Sequence, residues 1–250
     1  MGYVIAVAGK GGTGKTTVAA LLVMLLKENR SGSILAVDAD PNSNLAEVLG
    51  ILPEKTIGSI LDNVSRHPEC VPQSMPKDRF IEYEVQTAVQ EAVGFDVLTM
   101  GRPEGAGCYC FVNNALRNVM TKLIKDYDFI VIDNEAGLEH LSRRTTRYAD
   151  TLLVVSDATP VGLKAAKRIR EIVKELDIKT NKRLLIVNCF DAKIEKAKLE
   201  NLDLDYLCNI PIDQEITQIS LNGNSLEKLH RDAISISILR KIGAKIWRKN

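Results

Sequence analysis

The chain has 250 residues, 45% hydrophobic and 26% charged, enough apolar side chain for a full buried core and most simply a single domain spanning residues 1–250. Lysine and arginine total 33 against 32 aspartate and glutamate, a balance that excludes wholesale recruitment to nucleic acid or to an acidic surface. Met1 runs directly into an apolar segment without a basic flank, and the longest unbroken apolar run, Val18 to Leu26, is too short to cross a bilayer. A cytoplasmic protein without membrane attachment is therefore expected. Five cysteines without framework spacing read as core residues or ligands rather than bridges, with Cys189 and Cys208 expected as buried filler in apolar stretches.

In chain order, "GYVIAVAG" is a β-rich run that opens into a glycine loop, and Val18 to Leu26 places apolar residues at helical spacing, giving strand, loop and helix. Apolar runs of strand length recur in "SILAVDAD", "FDVLTMG", "DFIVIDNEAG", "DTLLVVSDAT" and "RLLIVNCF", with helical stretches between most of them. "DYLCNIPID" supplies a further strand, and Ser225 to Trp247 a terminal helix. Pro53, Pro68, Pro72 and Pro76 interrupt residues 51–93, which read as a loop with one helix near Glu82 to Val93. Hydrophobicity that is continuous rather than alternating implies strands buried on both faces. The expected fold is α/β, a mostly parallel sheet flanked by helices on both faces.

"GKGGTGKT", Gly9 to Thr16, fits the phosphate-loop pattern G-x-x-x-x-G-K-[ST] and lies between a strand and a helix as the motif requires. Backbone N–H groups at Gly11, Gly12, Thr13 and Gly14 would wrap phosphates, and the helix N-terminus carrying Lys15, Thr16 and Thr17 adds favourable partial charge. Lys15 neutralises the β- and γ-oxygens and the Thr16 hydroxyl ligates magnesium. Downstream, Asp38 and Asp40 alternate onto one side at the end of the second strand, and Asp133 closes a buried strand. Singly, each carboxylate reads equally well as a turn or an N-cap. Their order behind a phosphate loop is what points to nucleotide hydrolysis.

"EGAGCYCFVNN" places Cys108 and Cys110 on either side of Tyr109. A disulfide between residues i and i+2 of an extended segment would be strained, whereas their side chains project from one face and can converge on one ion. The pair supplies half of a tetrahedral or square-planar site, and the residues themselves leave the other donors open. Thiolate ligands do not select nickel over zinc or copper(I). His67 and Cys70 share an H-x-x-C spacing without a further nearby ligand. Arg143 and Arg144 read either as nucleotide sensors or as a solvated face, and His140 as a capping or switch residue.

Lys10 makes the loop K-G-G-T-G-K-T, which resembles the deviant phosphate loop of the MinD, ParA and nitrogenase-iron-protein class of ATPases. The resemblance implies that Lys10 reaches across a homodimer to the partner's nucleotide, that Asp40 activates the attacking water, and that Asp38 lies near magnesium. It likewise implies that Asp133 is the magnesium-holding Walker-B carboxylate and that the Gly137 N–H senses the γ-phosphate. By the same resemblance Asn188 contacts adenine, with Pro211 and Asp213 closing on the base. Asn188 and Asp191 also have the N-x-x-D spacing of guanine readers, but Cys189 stands where those proteins carry lysine, so ATP is the expected nucleotide.

Taken with "GCYC" and "DNEAGLEHLSRRT", the chain resembles the CooC-type family of nickel-inserting ATPases that mature carbon monoxide dehydrogenase or acetyl-CoA synthase. That resemblance implies that Cys108 and Cys110 of two chains hold one nickel at the dimer interface, with zinc able to substitute, and that the client is one of those nickel enzymes. The alternative is a MinD/ParA-like positioning ATPase with a membrane-associating C-terminal helix. Its motif would be the stripe Ile234, Ile238, Ile242 and Ile246 beside Lys241, Lys245, Trp247, Arg248 and Lys249. The competing reading of that stripe is a helix docked on the sheet. A third possibility, an iron–sulfur scaffold, generally draws its cysteines from separate loops.

Overall fold

The computed structural model describes residues 2–102, 119–134, 148–192 and 194–247. In chain order the elements are β1 (Tyr3–Gly9), α1 (Lys15–Glu28), β2 (Ile34–Asp38), α2 (Asn44–Val48), α3 (Ile57–Arg66), α4 (Lys77–Thr87), β3 (Gln90–Ala92) and β4 (Phe95–Thr99). There follow α5, described over residues 119–126, then β5 (Phe129–Asp133), β6 (Tyr148–Ser156), α6 (Pro160–Glu175), β7 (Lys179–Asn188), α7 (Lys196–Leu199), β8 (Asp205–Ile210), α8 (Gln214–Leu221) and α9 (Ile234–Trp247). Among the described residues these strands form an eight-stranded sheet in the order β3-β4-β2-β5-β1-β6-β7-β8. All neighbours pair in parallel except β3, which runs antiparallel to β4 at one edge.

Strand β1 explains the two-layered core. Its residues are buried throughout, but alternate sides of the pleat feed different helix layers. Val4, Ala6 and Ala8 join the cluster containing Ile57, Ile81, Leu123 and Leu163, contributed by α3 to α6. Tyr3, Ile5 and Val7 join the cluster that holds the apolar residues of α1 with Leu45, Ile219 and Leu239 of α2, α8 and α9. Helices on both faces are what a parallel sheet requires, because each crossover must return over one side of it.

Residues 51–93 are more ordered than their prolines suggest. Thr56 caps α3 in a reciprocal box, accepting from the Ser59 N–H while the Ser59 hydroxyl accepts from the Thr56 N–H, both at 3.1 Å. Ile57, Ile60, Leu61 and Val64 then face the core. Pro68 and Pro76 lie outside the regular helices, opening a 3-10 turn and preceding α4 respectively, so neither breaks a hydrogen-bonded turn. The helix expected near Glu82 to Val93 instead spans Lys77–Thr87, and the chain re-enters the sheet through β3 and a turn at Gly94, φ 85°. The terminal helix is also shorter than expected. Residues 226–228 form a separate 3-10 turn before α9 begins at Ile234.

Helix α9 docks through Ser235, Ile236, Leu239, Gly243 and Ile246, a face rotated from the expected isoleucine stripe. Ile238 and Ile242 pack at its margin, and Ile234 is 49% exposed. The hydroxyls of Tyr3 and Thr151 both donate to the Ile246 carbonyl, at 2.9 and 2.7 Å, and fasten the end of α9 to β1 and β6. Among the described residues no helix is long and apolar enough to cross a membrane. Leu239 is fully buried. Leu239→Ala is expected to lower unfolding free energy by about 2–5 kcal/mol without changing the denaturant slope, measured by urea titration.

Candidate nucleotide site

The site forms where β1, β5 and β2 end together. Val7 and Asp133 are register partners, as are Asp38 and Asp133, so the phosphate loop and the carboxylates converge at the carboxyl edge of three adjacent strands. From β1 the chain continues to β2 in one direction along the sheet, and from β5 it continues to β6 in the opposite direction. This parting of crossovers opens the crevice in which open α/β sheets bind ligands.

The loop is organised around one carbonyl. Lys10 O accepts from the Thr13 N–H at 3.4 Å, the Thr13 hydroxyl at 2.9 Å and the Lys15 ammonium at 3.3 Å. Thr13 and Lys15 are buried, while the glycines Gly11 and Gly12 and the Lys10 residue are exposed. Gly12 and Gly14 have φ of 78° and 84°, a left-handed conformation that opposes any side chain. Helix α1 starts without a side-chain cap or an acidic residue in its first turn, which leaves its N–H groups available to an anion. Thr16 and Thr17 lie in that turn, half-buried.

The carboxylates carry the electrostatics. Asp38 is fully buried and accepts from the Leu45 N–H at 2.7 Å and the Asp40 N–H at 3.1 Å, which ties β2 to the start of α2. Burial pushes its carboxyl up to about 7 despite the Leu45 bond, and the Asp133 charge adds to the rise. Burial likewise raises Asp133 to about 6, against the lowering effects of a Thr16 hydrogen bond and the Lys15 charge. Asp133 Oδ1 is buried without a hydrogen-bond partner. An orphaned acceptor hydrogen-bonded on its other side to a helix-terminal threonine, beside a second buried carboxylate, fits a hard divalent cation such as magnesium. Asp40 is half-buried, and its Oδ1 accepts from the Asn42 N–H at 2.9 Å and the Asn42 side chain at 3.0 Å.

Of the residues expected at the base, Asn188 ends β7, is 9% exposed, and donates a side-chain N–H to Thr13 O at 2.9 Å. Pro211 follows β8. The Asp213 carboxylate accepts from the Glu215 and Ile216 N–H groups at the start of α8 and from the Ser235 N–H at the start of α9. Cys189 is exposed rather than buried, because a left-handed backbone, φ 54°, turns the chain outward directly after Asn188. Cys208 is half-buried.

Cys108, Cys110, Gly137, His140, Arg143 and Arg144 lie outside the described residues. Among the described residues no group of three or more histidine, cysteine, aspartate or glutamate side chains is placed to hold a metal. His67 faces Glu69 at 3.2 Å, whereas Cys70 packs against the core, so the two do not form a site. Asn134 escaped the sequence reading. It is fully buried next to Asp133 and donates from its backbone and side chain to Val7 O at 3.1 and 2.9 Å, with Oδ1 unpaired. The signal was a second polar residue directly after a buried strand's terminal carboxylate.

Residues 2–186 match the family model described as AAA domain. An ATP-binding protein of Methanocaldococcus jannaschii, described as uncharacterized, is 41% identical across 98% of this chain and 99% of its own. The carbon monoxide dehydrogenase accessory protein CooC of Rhodospirillum rubrum is 29% identical across 96% of this chain and 97% of its own. The septum site-determining protein MinD of Pyrococcus horikoshii, solved as a complex with Mg-ADP, superposes with a TM-score of 0.72 at 23% identity, covering 98% of this chain and 96% of the other.

The two buried carboxyls bear on stability. Folding holds a proton on Asp38 that the unfolded chain releases near 3.8, so this group's contribution to nucleotide-free stability is fully present below that value and is lost as pH rises through about 7. Thermal unfolding in EDTA should therefore show a lower midpoint at pH 8 than at pH 5, and Asp38→Asn should shrink that difference. An unchanged midpoint across the window would contradict the burial of ionisable Asp38. Magnesium with ADP should offset the loss at pH 8 by neutralising the same charges.

Proposed function

The chain belongs to the AAA-domain family of P-loop ATP-binding proteins with the MinD/ParA fold, and from that premise we propose that it is an ATP-hydrolysing metallochaperone. It would carry nickel between two copies of the chain and assist its insertion into carbon monoxide dehydrogenase or acetyl-CoA synthase. The observation that carries the nickel assignment is the C-x-C pair Cys108 and Cys110 in a chain related end to end to a carbon monoxide dehydrogenase accessory protein. Residues 1–250 would act as a single ATPase domain.

The placement of the described side chains supports the roles that the scheme gives them. Gly11 to Gly14 and the N-terminus of α1 receive the phosphates, and buried Lys15 supplies positive charge beside them. Thr16, Asp38 and Asp133 would hold magnesium, directly or through water. Magnesium, when bound, would neutralise phosphate charge. Half-buried Asp40 would orient the attacking water, and exposed Lys10 would reach a partner's nucleotide. Gly137 would sense the γ-phosphate, while Asn188, Pro211 and Asp213 border the adenine.

Nickel enters this scheme as cargo. A two-fold axis through the ion supplies the second pair of thiolates without further sequence, so metal affinity depends on dimerisation and dimerisation on nucleotide. Zinc binds such sulfurs as readily, and occupancy of either metal should rise with pH because the thiols must ionise. Hydrolysis withdraws the nucleotide's share of the dimer energy and loosens the ion. The positioning-ATPase alternative draws less support, since the apolar face of α9 is committed to the sheet through Ile236, Leu239 and Ile246.

Equilibrium dialysis with nickel, with and without a non-hydrolysable ATP analogue, should give one ion per two chains, tighter with the analogue. Cys108→Ser with Cys110→Ser should abolish that binding; equal affinity in the ATP and ADP forms would defeat the delivery scheme. In steady-state assays Asp40→Ala is expected to cut turnover at least 100-fold while retaining nucleotide, on the order of a positioned catalytic group's contribution. Lys15→Ala should instead weaken nucleotide binding itself.

A further inference from the structure

Asn188 was expected to face the base, and in the structure one of its side-chain N–H groups is committed to the phosphate loop. Nδ2 donates to the Thr13 carbonyl at 2.9 Å in a buried contact that spans the sheet from β7 to the β1–α1 turn. The approach is close: a Cβ built at Gly14 would lie 2.3 Å from that same nitrogen. Directly after Asn188 the chain turns away through Cys189 at φ 54°, a conformation costly for a non-glycine residue, so the asparagine is held at the loop rather than continuing the strand.

The consequence lies in the Thr13–Gly14 peptide. In a trans peptide the C=O and the following N–H point in opposite directions. Fixing Thr13 O toward Asn188 therefore aims the Gly14 N–H to the other side, and that N–H donates to no group among the described residues. A flipped peptide would present a carbonyl where the loop must present N–H groups to an anion. Two of the loop's carbonyls are thus satisfied separately, that of Lys10 by Thr13 and Lys15, and that of Thr13 by Asn188.

We propose that Asn188 is a positioning residue for the phosphate loop, which by holding the Thr13 carbonyl keeps the Gly14 N–H turned toward the phosphates. It therefore acts on any polyphosphate, with or without a base. The inference rests on the nucleotide reading of the site and adds to it a physical link between the base side and the phosphate side. Occupancy of either half would favour the arrangement of the other.

Calorimetric titration of the full chain with magnesium-ADP and with inorganic tripolyphosphate, which has no base, separates the possibilities. Wild-type binding of both probes tests the nucleotide reading itself. Asn188→Ala is expected to weaken both probes by a similar factor, roughly tenfold, the loss of one buried hydrogen bond to the loop. Asn188→Asp, which preserves size but turns an acceptor toward Thr13 O, should weaken both further and provides a second reading if the alanine variant does not fold. Loss of ADP affinity with tripolyphosphate unchanged would make Asn188 a base contact only and overturn the proposal, as would unchanged affinity for both probes.

Discussion

Two carboxylates buried side by side at the ends of neighbouring strands set the terms for this molecule. Asp38 and Asp133 are register partners with almost no exposed surface. Lys15 is the buried ammonium that offsets part of the charge, and the Leu45 and Asp40 N–H groups and the Thr16 hydroxyl absorb more. The remainder shows as raised proton affinity and one orphaned oxygen. A site in that condition is incomplete without a divalent cation and its anion, because desolvated like charges are tolerated only when something opposite arrives between them.

The sheet exists in the form it does to hold that arrangement still. With both faces covered, each central strand contributes to two cores, and its terminal residue has little freedom to move sideways. Val7, Asp38 and Asp133 share the last rungs of the β1–β5 and β5–β2 ladders. Asn134 adds a double hold on Val7 O just beyond the ladder. Positional precision at the carboxylates is bought with buried strand, not with local hydrogen bonds alone.

How much of this could be read beforehand depends on whether the signal was side chain or backbone. Strands such as Ile34–Asp38 and Phe129–Asp133 were legible because burial on both faces writes continuous apolar runs into the sequence. The phosphate loop was legible because only glycine tolerates its backbone at Gly12 and Gly14. Helix α3 was obscured by flanking prolines, although its Thr56–Ser59 box was present as a serine variant of a pattern usually completed by glutamate or glutamine. The roles of Lys10 O and Thr13 O were invisible, since carbonyls leave no residue preference behind. Asn188 was found for its spacing, while its hydrogen bond to the loop could come only from coordinates. Cys108, Cys110 and Gly137 fall outside the described residues, so their reading still stands on sequence and resemblance.

One carboxylate on the far side of the crevice has a mechanical meaning. Asp213 gathers the first N–H groups of α8 on one oxygen and that of Ser235, at the head of α9, on the other. α9 is in turn stitched at its far end to β1 and β6. The heads of α8 and α9 are therefore tied together through one side chain, and α9 is fastened at its other end to the strand that feeds the phosphate loop, so strain at either helix head is resisted at β1.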